Sequence, residues 1–200
     1  MVLRISYRAD TVRCIQIVDY RGFSLELPSQ EGVKTMKPTI YISGPYSADS
    51  LIDRQQNILN AKRRFVAALA TGEWWAVCPH THTAELEMHL PGVDHDEWLR
   101  MDITMLASCD AIWADYLKNK GSVGTRLELA WAILAGMPIH LGSLTPSVPS
   151  ILRNNRRPDL IEPVYDELTE DREKIWAMAA DGEIPDPEFY NGSVLMGWEK

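Results

Sequence analysis

Cysteine is scarce in this chain of 200 residues: only Cys14, Cys78 and Cys109 occur, far apart and with no CxxC pair. That spacing argues against both a disulfide framework and a thiolate metal site, and it points to a reducing compartment. Also missing is any Lys/Arg-rich run. With 20 basic against 28 acidic residues, a formal charge of −8 and a pI near 5.1, the chain would repel a long phosphodiester backbone. No polymeric nucleic acid is expected as a partner. A single phosphate is not excluded, because a few backbone N–H groups can hold one whatever the net charge. No stretch approaches the roughly 20 apolar residues of a membrane span, and the N-terminus lacks the basic-then-apolar order of a signal peptide. A soluble cytoplasmic protein that does not bind membranes is therefore expected. Internal repeats and low-complexity tracts are absent as well.

What the chain does have is 46% hydrophobic content, enough for one good core. Residues 3–8 and 12–27 are rich in β-formers and are broken at Asp19-Tyr20-Arg21-Gly22, which predicts a small β-hairpin within an N-terminal extension, 1–36. Pro28 to Lys37 reads as a polar link. From there to residue 144, short β runs alternate with helical periods, the pattern of a parallel sheet with crossover helices. Four strands are visible, at Thr39–Ile42, Trp74–Cys78, Ala111–Ala114 and Pro138–Leu141. The fold class predicted is α/β, a Rossmann-like doubly wound sheet of about five strands with flanking helices. Between the strands, helices are predicted from about Leu51 to Gly72, over Asp96–Ser108 and over Arg126–Ala135. The remainder, 145–200, predicts a Pro-rich and Asn/Arg-rich extension with one amphipathic helix over Asp166–Ala180 and a loose end.

Ligands of open parallel sheets bind beyond the carboxyl ends of the strands, so the loops that follow strands are the candidate ligand sites. Ser43-Gly44-Pro45-Tyr46 follows the first strand and His80 closely follows the second. Ser122-Val123-Gly124-Thr125 precedes a helix, and with Gly121 and Gly124 it outlines a phosphate cradle of helix N–H groups. Thr125-x-x-Glu128 also fits a capping box, so a structural and a catalytic role for Glu128 both stay open. Asp102 lies four residues after Trp98 and three before Met105, on an otherwise apolar stripe. A carboxyl group there is paired, protonated or facing a cavity, unless it sits at the edge of the helix in solvent; a partly buried carboxyl with a raised pKa would suit general-acid work.

Taken together, Tyr41-Ile42-Ser43-Gly44, Asp102, Cys109-Asp110-Ala111, Ser122 through Ala130 and Gly136-Met137-Pro138 resemble the nucleoside 2-deoxyribosyltransferase superfamily. That superfamily includes the 2′-deoxynucleoside 5′-phosphate N-hydrolases. The likeness spans residues 38 to 141, and the set is more specific than any one motif. It implies a nucleophilic Glu128 that attacks the anomeric carbon, Asp102 as the acid for the leaving base, and Tyr41 as the residue that orients Glu128. An oxocarbenium-like transition state gives a nearby carboxylate something to stabilise and then trap. Ser43, Gly44, Tyr46, His80, Asp110, Ser122, Gly124 and Arg126 are the expected substrate-binding residues. Asp110 also fits a simple turn or cap.

Ser122 stands where nucleoside-specific relatives tend to carry Asp, which favours a nucleoside 5′-monophosphate over a free nucleoside. Arg126 replaces a usually small residue and Ser47 a usually basic one. Arg126 is the candidate to supply the missing charge, the alternative being a side chain in solvent. The resemblance further implies a homodimer or larger homo-oligomer, and no cofactor.

Competing readings rest on weaker patterns. His80, His82, Glu85 and His89 have spacings that zinc ligands can adopt, but no HExxH accompanies them and no metal is expected. Trp74, Trp75, Trp98, Trp113 and Trp131 fit core packing better than base stacking, with Trp98, near Asp102, the exception. A nucleotide sensor of the same fold, binding without cleavage, is the alternative function.

Overall fold

The computed structural model describes residues 37–84, 86, 89–116, 122–151 and 162–190, together with the backbone of 17–18, 24–25 and 152–155. Residues 1–36 and 37–200 form two separate compact units. In the first, Ile17–Val18 (β1) and Ser24–Leu25 (β2) pair antiparallel, with Ile17 opposite Leu25. The expected strand over 3–8, the polar link, Glu85, the Lys118–Gly121 loop and the loose end past 190 lie outside the described residues.

The second unit carries a sheet of four parallel strands: Thr39–Ser43 (β3), Trp75–Val77 (β4), Ala111–Ala114 (β5) and Ile139–Leu141 (β6). Four strands replace the five expected, in the order β4-β3-β5-β6. The register sets Tyr41 opposite both Val77 and Ile112, and Trp113 opposite His140. Helices follow the strands: Leu51–Ala70 (α1), Pro79–His82 (α2), His95–Ala107 (α3), Val123–Leu134 (α4) and Val148–Asn155 (α5). Two more lie beyond them, Glu162–Glu167 (α6) and Thr169–Ala180 (α7), before a short 3₁₀ turn at Pro187–Phe189.

Three of the helices start where a side chain satisfies an otherwise orphaned N–H. Ser50 caps α1 through Asp53, Asp94 caps α3 through Glu97, and Ser122 caps α4 through Thr125. Gly136, at φ +63°, lets the chain leave α4 in the left-handed conformation that a Cβ would oppose.

The two-residue period of the strands divides the core into two layers. Ile40, Ile42, Ala111 and Trp113 pack with Ala61 and Ala68 of α1 and Ile151 of α5. Tyr41, Ile112 and Ala114 pack on the other side with residues of α3, α4 and α7. Helices on both faces make this a Rossmann-like, doubly wound arrangement, as predicted. No described helix is long and apolar enough to cross a membrane.

The tryptophans divide three ways. Trp74, Trp113 and Trp131 are fully buried, and each indole N–H donates to a backbone carbonyl, of Pro146, Gly142 and Pro185 respectively. Trp75 departs from the expected core role: it lies on the edge strand β4 and is 58% exposed. Trp98 is half-buried and turns to a cavity.

Candidate active site

The order β4-β3-β5-β6 reverses direction between β3 and β5, because the chain moves one way to β4 and then crosses back. Such a reversal parts the connecting loops at the carboxyl ends of those strands and opens a crevice. A cavity of about 180 Å³ lies there. Its walls are the β3–α1 loop with Gly44, Tyr46 and Ser47, Pro79 and His80 of α2, one face of α3, and the first turns of α4. Drug-sized ligands need roughly 300–1,000 Å³, so this cavity encloses a group smaller than that.

The face of α3 in the cavity follows from helical spacing: His95, Trp98, Leu99 and Asp102 fall at i, i+3, i+4 and i+7. Across from it, α4 contributes Ser122 through Thr125 and, one turn further on, Glu128.

Glu128 is 5% exposed, and both of its oxygens are held. The Tyr41 hydroxyl donates to Oε1 at 2.7 Å and the Ser43 hydroxyl to Oε2 at 2.5 Å. Tyr41 and Ser43 are alternate residues of β3, so both face α4. Burial and the nearby Asp102 push the Glu128 carboxyl well above the usual carboxylate range, while the bonds from Ser43 and Tyr41 pull the other way. Burial raises Asp102 too, and its Oδ1 is buried with no hydrogen-bond partner among the described residues. The Tyr41 phenol is raised well above its ordinary range by burial and by the Glu128 charge, so it stays a donor.

These bonds leave Glu128 no part in a helix cap. The helix begins at Val123 with Ser122 as its cap, so the Thr125–Glu128 capping box is not formed. Thr125, at 1% exposure, is inside the first turn, and its hydroxyl lies 3.1 Å from the Ser122 hydroxyl. The amides of Val123 and Gly124, the first two of the helix, have no acceptor within it.

His80 is buried, and its Nε2 faces the Pro45 carbonyl at 3.1 Å. Burial lowers its pKa, so the ring is neutral at pH 7. Tyr46 stands edge-on to it at 5.6 Å and donates its hydroxyl to the Ala84 carbonyl, which ties two walls of the cavity together.

Three expected ligand residues do not line the cavity, and the first of them, Ser43, is engaged with the Glu128 carboxylate instead. Asp110 precedes β5 at the amino-terminal end of the strands, where its carboxylate accepts from the Thr39 N–H at 2.7 Å; it closes the start of β3 and lines no part of the cavity. Arg126 turns outward to Asp171 of α7, its Nη2 2.6 Å from Oδ2, and likewise does not line the cavity. His95, Thr83 and Leu99 line it without having been singled out. Helical spacing from Asp102 was the available signal for His95 and Leu99; for Thr83 there was none. Among the described residues no three His, Cys, Asp or Glu side chains are grouped to hold a metal ion.

Fold and site together define an α/β protein with a buried glutamate and a half-buried aspartate in a crevice at the carboxyl ends of its strands. The chain belongs to a family described as a domain of unknown function (DUF7768), which matches residues 38–141. No curated protein and no solved structure matches it.

Proposed function

We propose that this protein is an N-glycosidase acting on (deoxy)nucleoside 5′-monophosphates, with Glu128 as nucleophile, in keeping with the resemblance to the nucleoside 2-deoxyribosyltransferase superfamily. One observation carries the reading: a buried carboxylate, held through both oxygens by Tyr41 and Ser43, shares a cavity with a second, unpartnered carboxyl group. A pure packing role would leave neither group facing a void.

Two hydroxyl donors stabilise the ionised form of Glu128, and Asp102 has none, so the single proton shared by the pair resides on Asp102. Glu128 attacks C1′ as the C1′–N bond breaks. The electron pair of that bond passes to the base nitrogen, which takes the Asp102 proton, and the sugar remains as an ester on Glu128. Water then adds to C1′, returns a proton to Asp102 and frees Glu128; a second base in place of water would make the enzyme a transferase. The Ser122 hydroxyl and the amides of Val123 and Gly124 supply a seat for the 5′-phosphate at a helix N-terminus.

The test is chromatographic detection of free base from the common deoxynucleoside 5′-monophosphates and their nucleosides, with and without an acceptor base. Base release by the wild type that vanishes in Glu128→Gln supports the reading, and dependence on the acceptor marks a transferase. Thermal stabilisation by monophosphates without any base release would instead make this protein a nucleotide sensor.

A further inference from the structure

Two residues that flank the Ser122–Thr125 wall of the cavity in sequence, Tyr116 and Arg126, are bonded to the C-terminal helices. The Tyr116 hydroxyl donates to Glu167 Oε2 at 2.7 Å. Arg126 donates through Nε and Nη2 to Asp171 Oδ2 at 3.0 and 2.6 Å, and through Nη2 to the Glu167 carbonyl at 3.5 Å. The Asp171 side chain is only 14% exposed and that of Arg126 32%, so water screens this pair less than a surface ion pair. Both acceptors belong to the α6–α7 junction, outside the matched segment 38–141.

We propose that Glu167 and Asp171 are positioning residues for the phosphate seat. By anchoring Tyr116 and Arg126 they fix the Ser122 hydroxyl and the first amides of α4 relative to Glu128, and so set the preference for a 5′-monophosphate over a nucleoside. Charge-assisted bonds from amides to an anion are directional, so a small displacement of the helix start weakens phosphate binding and leaves the sugar and base contacts in place. The inference rests on the proposed function, because it takes Ser122 through Gly124 as the seat of a phosphate.

Three variants of the full chain separate positioning from charge. Asp171→Asn breaks one anchor and leaves an extra cation, Arg126→Met breaks the same anchor and leaves an extra anion, and Tyr116→Phe breaks the other anchor without changing charge. Calorimetry would give the affinities of the four common deoxynucleoside 5′-monophosphates and of their four nucleosides. Positioning predicts that all three variants lose about tenfold in monophosphate affinity while nucleoside affinity changes less than about twofold. Opposite shifts in Asp171→Asn and Arg126→Met would show a simple charge effect and overturn the inference. Equal weakening of both ligand types, together with a lowered Tm, would show general destabilisation and also overturn it. Should the wild type bind none of the eight compounds, the proposed function itself fails and the inference goes with it.

Discussion

Glu128 is subject to opposed forces: burial and the neighbouring Asp102 favour its neutral form, while two hydroxyl donors favour its charge. The fold therefore bears a cost when the pair ionises. A carboxyl group with a raised native pKa holds more protons folded than unfolded, so its contribution to stability falls as pH rises from the unfolded value through the folded one. Glu128→Gln removes that dependence. Its Tm is expected to exceed that of the wild type by a few degrees at pH 8, with the gap narrowing at pH 5 in thermal melts, although kcat falls about a thousandfold or more.

The same shifts locate the activity. Turnover needs Glu128 ionised and Asp102 protonated, so the rate falls in acid as Glu128 gains a proton and in base as Asp102 loses one. Because burial raises both groups, the bell-shaped profile should lie above the ordinary carboxylate range. Asp102→Asn should abolish the alkaline limb and leave the acid limb nearly in place, since Asp102 is already neutral where Glu128 gains its proton; a pH–rate profile of the variant tests both.

Elements place these residues, and they were legible to unequal degrees. The β-branched run Thr39–Ile42 and the apolar Ala111–Ala114 announced strands, and the spacing from Trp98 to Asp102 announced a helical stripe. The start of α4 was obscured, because Gly124 reads as loop and because Ser122-x-x-Thr125 and Thr125-x-x-Glu128 both fit a cap pattern. The Ser122 cap separates the two, and the Tyr41 and Ser43 bonds, from a strand more than 80 residues earlier, hold Glu128 elsewhere. Asp166–Ala180 was expected as one helix, yet it divides at Leu168 without Gly or Pro, since Leu168 is fully buried among the residues on the α3–α4 side of the sheet and packing overrides propensity. Arg126 was misplaced for a similar reason: its partner, Asp171, lies 45 residues away. One prediction belongs to the α4 cap. Asp caps a helix as well as Ser does, so Ser122→Asp should leave Tm within about 1 °C of the wild type. Its carboxylate would repel a 5′-phosphate, and the preference for monophosphates over nucleosides, measured as a ratio of kcat/KM values, should fall at least about tenfold.

At the scale of the whole molecule, residues 38–141 match a family but do not contain all of their own core. Val164, Leu168, Ile175, Met178 and Ile184 are buried in the same cluster as Leu129, Trp131 and Ile103. A fragment ending at residue 141 is expected to lose cooperative thermal unfolding and to bind a hydrophobic dye, while one ending at residue 190 keeps a sharp transition.

The three buried indoles sharpen that expectation. Trp74, Trp113 and Trp131 lie inside the matched segment, and all three of their acceptors, Pro146, Gly142 and Pro185, lie after it. Cutting at the family boundary would orphan three buried donors at roughly 1–3 kcal/mol each, a large share of the 5–15 kcal/mol that holds a typical domain together. The module shared with relatives and the module that folds are therefore different lengths of chain. A transplant of this site into another scaffold has to carry the longer one.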